Sequence, residues 1–305
     1  MRRIFGRICS MNISVIGAGT MGNGIAHLFA QYGYEVTLID LLPAQLDKAM
    51  QTIEKNLERQ IAKGNLTKEE KLSVLAKIQV QKDIPKGVHT ADLVIEAATE
   101  NELLKLQLFR HLGECASEKC ILASNTSSIS ITKLASATRM PGRVIGMHFM
   151  NPVPLMKLVE VINGYATDPH VTLSITELAR KVGKTPCVVK DYPGFIANRI
   201  LMPMINEAVY SLYEGVAGVE EIDTVMKLGM AHPMGPLQLA DFIGLDICFS
   251  ILNVLYQGFG NPKYAPCPLL STMVSAGNLG IKTGQGFYEY NAGNKELKVS
   301  QRFRL

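Results

Sequence analysis

Apolar and polar positions change their period repeatedly along the first two thirds of this chain and settle into one period afterwards. NISVI is a short apolar run that ends in the glycine turn GAG. TMGNGIAHLFAQYG then places apolar residues at helical spacing up to a glycine stop. A second apolar run, YEVTLID at 34–40, follows. From Pro43 to about Ala76 the pattern is charged and helical, interrupted at Gly64 and Asn65, which predicts a helical hairpin over 43–76. ADLVIEA at 91–97, CILASN at 120–125 and RVIGMHF at 143–149 are β-rich runs separated by helical segments, and MKLVEVI and TPCVVK add two more. Strands alternating with helices predict a mainly parallel sheet covered on both faces. After Asp191 the β-rich runs stop, and PGFIANRILMPMINEAVYSLYEG, VEEIDTVMKLG and GPLQLADFIGLDICFSILNVLYQ all read as helical.

The turn after the first strand carries Gly17, Gly19 and Gly22, a G-x-G-x-x-G pattern. Alone that is a weak signal. Here it follows a strand, opens a helix, and is followed by a second strand ending in Asp40, the context that gives the fingerprint its meaning. Gly17 permits a tight turn, Gly19 lets a pyrophosphate approach the backbone, and Gly22 permits close helix–strand packing. The amides at the start of the helix, at Thr20 and Met21, face the phosphates. Asp40 is placed to accept from the ribose hydroxyls, and Leu41 and Leu42 offer no cation for a 2′-phosphate, so NAD is expected rather than NADP. The expected fold class is therefore an α/β Rossmann-type dinucleotide-binding domain with a mainly parallel sheet at 11–191, followed by an all-α domain at 192–291. The segments 1–10 and 292–305 read as tails.

Composition narrows the class without choosing a chemistry. The chain has 305 residues, 47% hydrophobic and 19% charged, with a formal net charge of +4. Lys and Arg are spread out and Trp is absent, so neither a basic stripe nor a stacking aromatic set points to nucleic acid. No apolar run reaches the roughly 18–20 residues of a spanning helix, so no membrane partner is expected. The six cysteines form no CxxC pair, which suits free thiols in a reducing compartment and leaves no metal site to expect. MRRIFGRICS is Arg-rich and acid-poor; it reads either as an extension before a start at Met11 or as a transit-like signal. The expectation is a cytoplasmic protein, with organellar import as the alternative.

Six motifs in order, GAGTMGNGIA, ASNTSSISI, GMHFMNPVPLMKLVEVI, DYPGFIANRI, HPMGPLQLADFIGLD and KTGQGFYEY, resemble the 3-hydroxyacyl-CoA dehydrogenase family over residues 12–290. The resemblance implies NAD-dependent, reversible oxidation of an L-3-hydroxyacyl-CoA, of the 3-hydroxybutyryl-CoA type, in fatty-acid or butanoate metabolism. It also implies an acyl-CoA substrate and a homodimer formed through the helical domain. His148 and Glu160 match the catalytic pair. A hydride leaves C3 only as the hydroxyl loses its proton, and an imidazole that ordinarily titrates near pH 6.5 is a suitable base. A carboxylate on its other nitrogen fixes the tautomer and stabilises the imidazolium.

Ser127 and Asn198 match positions that bond the substrate oxygen and its surroundings, and Ser127 also borders the cofactor. The polar SNTSS run would equally cap the helix that follows it. Asn151 matches a position near the nicotinamide. Glu100, Lys105 and Lys282 match NAD contacts, although an exposed helical Glu or Lys is ordinarily just solvated. Lys63 in the hairpin matches a contact to the CoA tail. Asn56 departs from the family pattern, standing where some relatives carry a CoA-contacting serine. A catalytically idle NAD-binding protein is the competing reading, since fold alone does not fix function.

Overall fold

The computed structural model describes residues 11–290 and 297–304. The chain divides into two compact units, 1–192 and 193–305. The leader 1–10 lies outside the described residues, as do 291–296 and 305.

The first unit is built on one eight-stranded sheet in the order β3-β2-β1-β4-β5-β6-β7-β8. Its strands are β1 Asn12–Ile16, β2 Glu35–Ile39, β3 Ile78–Gln81, β4 Leu93–Glu96, β5 Ile121–Ser124, β6 Val144–Phe149, β7 Leu158–Asn163 and β8 Thr185–Lys190. All neighbours are parallel except β6 and β7. β4, β5 and β6 are buried at every position, as a parallel strand covered on both faces requires. The helices of this unit include α1 Thr20–Gln31, α2 Pro43–Ala62, α3 Lys68–Ala76, α4 Ile84–Val88, α5 Glu102–Cys115, α6 Ile131–Ser136 and α7 Pro169–Lys181. The core gathers Val15, Ile25, Phe29, Leu38, Ile95 and Phe149 between α1 and the sheet. β1 pairs with β2 on one side and β4 on the other, so the strand order reverses between β1 and β4. In open α/β sheets the crevice beyond the carboxyl ends of such strands is where ligands sit.

The expected hairpin is α2 and α3. Gly64 turns it at φ +71°, and Thr67 with Glu70 forms a complete capping box at the start of α3. The Lys71 ammonium ties the two helices together through Glu54 (2.8 Å) and Glu58 (2.9 Å). One strand escapes the sequence pattern. β3, IQVQ, directly follows α3 and forms the sheet edge, with one buried position.

The second unit is helical: α8 Ala197–Tyr213, α9 Val219–Thr224, α10 Pro236–Ile243, α11 Leu245–Phe259 and α12 Pro268–Ser275. Two expectations need correction here. GPLQLADFIGLDICFSILNVLYQ is two helices rather than one, because Gly244 adopts φ 105° and α10 meets α11 at 98°. Beside its helices, β9 Tyr288–Glu289 pairs antiparallel with β10 Lys298–Val299. Residues 298–303, read as part of a tail, therefore pack back onto this unit. The Ser300 amide donates to Phe287 O (2.9 Å) and the Phe303 ring lies 5.9 Å from that of Phe287. Two buried carboxylates fasten this region. Asp241 accepts from the Phe287 and Tyr288 amides (3.0 and 2.9 Å) and from the Tyr290 hydroxyl (3.1 Å). Asp223 accepts from the Tyr288 hydroxyl (2.8 Å) and from the amides of Leu237 and Gln238 (2.8 and 2.9 Å) at the start of α10. No single helix among the described residues is long and apolar enough to cross a membrane.

Candidate active site

The glycine loop leaves β1 at the point where the strand order reverses. Gly17 has φ +97°, and a Cβ there would lie 2.6 Å from Ala97 O at the end of β4. At Gly22 a Cβ would lie 1.6 Å from Gly17 O, so α1 can pack onto the turn only without a side chain. Gly19 differs from both, because a Cβ there meets nothing within 4 Å. Its free side opens to the crevice, and α1 begins at Thr20 with no side-chain cap on its first amides. An uncapped helix N-terminus with open space before it suits a pyrophosphate. The loop itself therefore suits the pyrophosphate of NAD. Asp40 directly follows β2 with its carboxylate held by the chain: Oδ2 accepts from the Ala18 amide (2.8 Å) and Oδ1 from the Leu42 amide (2.9 Å). A carboxylate oxygen takes more than one donor, so the same group can still receive ribose hydroxyls. Beside the loop lies a cleft of about 300 Å³ lined by Gly19, Thr20, Asn23, Asn56 and Asn151, among others. Met21 is half-buried on the first turn of α1.

Further along the sheet, the antiparallel pairing of β6 and β7 sets His148 directly opposite Glu160. Directly opposed residues of a ladder project to the same face, and His148 Nδ1 lies 2.8 Å from Glu160 Oε2. Both side chains are buried. The carboxylate needs a donor, so Nδ1 carries the proton and proton exchange falls to Nε2.

Ser127 sits in the loop between β5 and α6. Glu100 Oε1 accepts from the Thr126 hydroxyl (2.6 Å), the Ser127 amide (3.0 Å) and hydroxyl (3.3 Å), and the Ser128 hydroxyl (2.9 Å). Burial pushes the Glu100 carboxyl up, but the Lys105 ammonium and these donors outweigh it and hold it below the ordinary carboxylate value. Lys105 is not the solvated helical lysine that its position suggests. It is 2% exposed, paired with Glu96, 3.2 Å from Ala98 O and 3.5 Å from Glu100 Oε2.

Asn151 is exposed on the loop after β6. That loop is pinned from behind by Lys184, whose buried ammonium donates to Val153 O and to Met156 O (2.7 Å); burial pushes its pKa down. Lys63 is exposed at the end of α2, and Asn56 accepts from Arg59 (3.2 Å). Two expected site residues belong to the second unit. Asn198 is buried on the first turn of α8, and Lys282 lies in the short turn Ile281–Thr283, ion-paired with Asp246. Sequence reasoning missed Glu96, Ser124 and Lys184. The signal for Glu96 was present: it is the one charged residue in an otherwise apolar strand run, LVIE.

These features, a glycine loop at a strand-order reversal and a buried His–Glu pair on the same sheet, are those of a nicotinamide-dependent oxidoreductase. Family models place it further. The model described as "3-hydroxyacyl-CoA dehydrogenase, NAD binding domain" matches residues 12–192, and that described as "3-hydroxyacyl-CoA dehydrogenase, C-terminal domain" matches 194–290. The chain belongs to the 3-hydroxyacyl-CoA dehydrogenase family, and it is an NAD-dependent enzyme that acts on 3-hydroxyacyl-CoA substrates. It is 53% identical over 278 residues, covering 91% of this chain and 96% of the relative, to a probable 3-hydroxybutyryl-CoA dehydrogenase of Bacillus subtilis. It is 42% identical over 291 residues, 93% of this chain and 92% of the relative, to a mitochondrial hydroxyacyl-coenzyme A dehydrogenase of Sus scrofa. The crystal structure of (S)-3-hydroxybutyryl-CoA dehydrogenase from Ralstonia eutropha superposes with a TM-score of 0.90 at 48% identity, covering 93% of this chain and all of that one (100%).

Proposed function

We propose that this chain interconverts L-3-hydroxybutyryl-CoA and acetoacetyl-CoA with NAD, in fatty-acid or butanoate metabolism, as a homodimer in the cytoplasm. The observation that carries the chemistry is the directly opposed pair His148 and Glu160, bonded at 2.8 Å on a sheet that also carries the glycine loop. The four-carbon substrate is supported by the names of the relatives from Bacillus subtilis and Ralstonia eutropha.

When bound, NAD supplies the hydride acceptor. In oxidation His148 takes the C3 hydroxyl proton at Nε2, and in reduction it returns that proton to the 3-oxo group. Glu160 keeps the proton on Nδ1 and stabilises the imidazolium by Coulomb attraction and hydrogen bonding. Ser127 bonds the substrate oxygen. Thr20, Met21 and the glycine loop hold the pyrophosphate, and Asp40 the ribose. Glu100 and Asn151 complete the cofactor site of the first unit, with Lys105 acting behind Glu100. Lys63 meets the phosphate-bearing CoA tail, as a compact surface cation suits a phosphate. Exposed apolar side chains of the second unit, Ile200, Leu228, Met230 and Phe242, support the homodimer.

Steady-state kinetics with NADH and acetoacetyl-, 3-oxohexanoyl- and 3-oxodecanoyl-CoA test the substrate, with the highest kcat/KM expected on the four-carbon thioester. A preference for the ten-carbon thioester overturns the chain length, and no turnover on any of the three overturns the function. Light scattering at micromolar concentration tests the dimer, and fractionation of cells expressing the full chain tests the compartment.

A further inference from the structure

The geometry points to Glu96, on β4, as the positioning residue that sets the Ser127 loop, acting through Lys105 and Glu100; this rests on the reading of Ser127 as a substrate-bonding residue. The Glu96 carboxylate is fully buried. Oε1 accepts from the Ala98 amide (2.7 Å) and from the Lys105 ammonium, and Oε2 accepts from the Ser124 hydroxyl (2.6 Å). From this one group two routes lead to the loop. Along the first, the Ser124 hydroxyl is itself the acceptor for the Thr126 amide (3.2 Å). Along the second, Lys105 stands between two carboxylates, paired with Glu96 and 3.5 Å from Glu100 Oε2. Glu100 Oε1 then gathers the donors of Thr126, Ser127 and Ser128.

The loop is also tied to the strand of the His–Glu pair. Asn125 donates its amide to Glu96 O (2.7 Å), and its side-chain Oδ1 accepts from the amide of Phe149 (2.9 Å), the residue after His148. Glu96, the Ser127 loop and the His148 strand therefore form one hydrogen-bonded frame. A buried ion pair is a poor way to gain stability. Its use here is geometric, because an ammonium shared between two carboxylates fixes where each of them lies. Without the charge of Glu96, Glu100 is the one carboxylate left to Lys105, beside the Ala98 carbonyl. The ammonium moves toward Glu100 Oε2, and the carboxylate that orients Ser127 turns with it.

The test is a double-mutant cycle on the full-length enzyme, with Glu96→Gln, Ser127→Ala and the two combined. Turnover is measured with acetoacetyl-CoA and NADH, and amide hydrogen exchange is followed over residues 125–129. Glu96→Gln should lower kcat/KM about 10- to 100-fold, the scale of a misplacement of about 1 Å in a site. Combined with Ser127→Ala it should add less than about two-fold, because residues acting as one unit are not additive. Exchange at 125–129 should quicken at least ten-fold. Glu96→Asp keeps the charge on a shorter arm and should recover part of the rate. It replaces the Gln variant in the cycle if that variant does not fold.

Additive losses, or unchanged exchange, overturn the proposal. Quickened exchange with wild-type turnover overturns it too, since the loop position would then not matter to the reaction. If the unmodified enzyme shows no turnover, the proposed function fails, and the exchange measurement alone decides whether Glu96 sets the loop.

Discussion

Gly19 and Gly22 stand three residues apart in one motif, yet the structure gives them opposite jobs, and substituting each by alanine should separate binding from folding. At Gly22 a Cβ would sit 1.6 Å from Gly17 O and 2.8 Å from Gly17 C. Real Cβ atoms do not approach within 3.0 Å, so the turn or the helix must shift by more than an ångström. Both are anchored, by the Gly17 amide on Ile39 O (2.7 Å) and by a closely packed core under α1. The cost belongs at the upper end of overpacking, about 3 kcal/mol. For a unit of this size that lowers Tm by roughly 6–12 °C. At Gly19 the backbone is extended, φ −66° and ψ −169°, which alanine adopts freely, and a Cβ meets nothing within 4 Å. Loss of chain freedom in the unfolded state stabilises by about 0.4–1 kcal/mol, and the poorer N-cap offsets it. Gly19→Ala should therefore melt within about 4 °C of the parent.

The new methyl instead fills the space left for the pyrophosphate. Displacing one charge-assisted hydrogen bond of about 1.5–3 kcal/mol raises the NADH dissociation constant roughly 10- to 150-fold. Circular-dichroism melts without cofactor and titration with NADH give both quantities on the same samples. Wild-type NADH affinity in Gly19→Ala, or a wild-type Tm in Gly22→Ala, would refute the reasoning.

Three further outcomes are expected. Glu160→Gln should keep NAD binding and lower turnover about 10²- to 10⁴-fold, the range that general acid–base assistance supplies; turnover near wild type would dissolve the pair. Asp40→Ala should weaken NAD binding and narrow the preference against NADP, since one set of acceptor contacts and one repulsion go together; unchanged kinetics with both cofactors would remove Asp40 from the ribose site. His27, buried in α1 with Nδ1 unpartnered among the described residues, is pushed down to about 4 by burial. Folded His27 thus binds fewer protons than unfolded His27 between pH 6.5 and about 4, so its contribution is complete above 6.5 and is lost as pH falls through that window. His27→Leu should flatten this limb of the curve of unfolding free energy against pH by on the order of 3 kcal/mol, and an equally steep limb in the variant would show that another group drives it.

The sequence made legible what repeats. β1, β2, β4, β5 and β6 all stood out as short apolar runs, because strands covered on both faces are apolar at most positions. The glycine fingerprint was readable because its geometry needs an absent side chain at fixed spacing. β3 was hidden for the converse reason: an edge strand of four residues, IQVQ with one buried position, makes no run and no clear alternation. Gly244 was passed over because a glycine inside an apolar helical pattern is compatible with helix, and only its φ of 105° shows the break. His148 and Glu160 could be placed on neighbouring runs, but their register depends on how the loop between them folds. Neither composition nor period records that choice.

The least legible residues share a physical character. Asp223 and Asp241 look in the sequence like any surface carboxylate, and only its apolar run marks Glu96, yet all three are buried; Asp223 and Asp241 each collect two backbone amides from elsewhere in their unit, and Glu96 the Ala98 amide, the Lys105 ammonium and the Ser124 hydroxyl. Burying such a group is costly unless its partners are in place. A carboxylate of this kind therefore marks a position where the chain must be held in one arrangement, and its partners are set by tertiary structure alone. In the second unit Asp223 and Asp241 hold the start of α10 and the strand β9. In the first, Glu96 holds the loop that carries Ser127. An acidic residue in a run that is otherwise wholly apolar is the sequence trace of this arrangement. In LVIE the three residues before Glu96 are buried at 0% exposure, and so is Glu96 itself. Position along a strand is thus better evidence for such a carboxylate than its residue type, because solvent cannot be what stabilises the charge there.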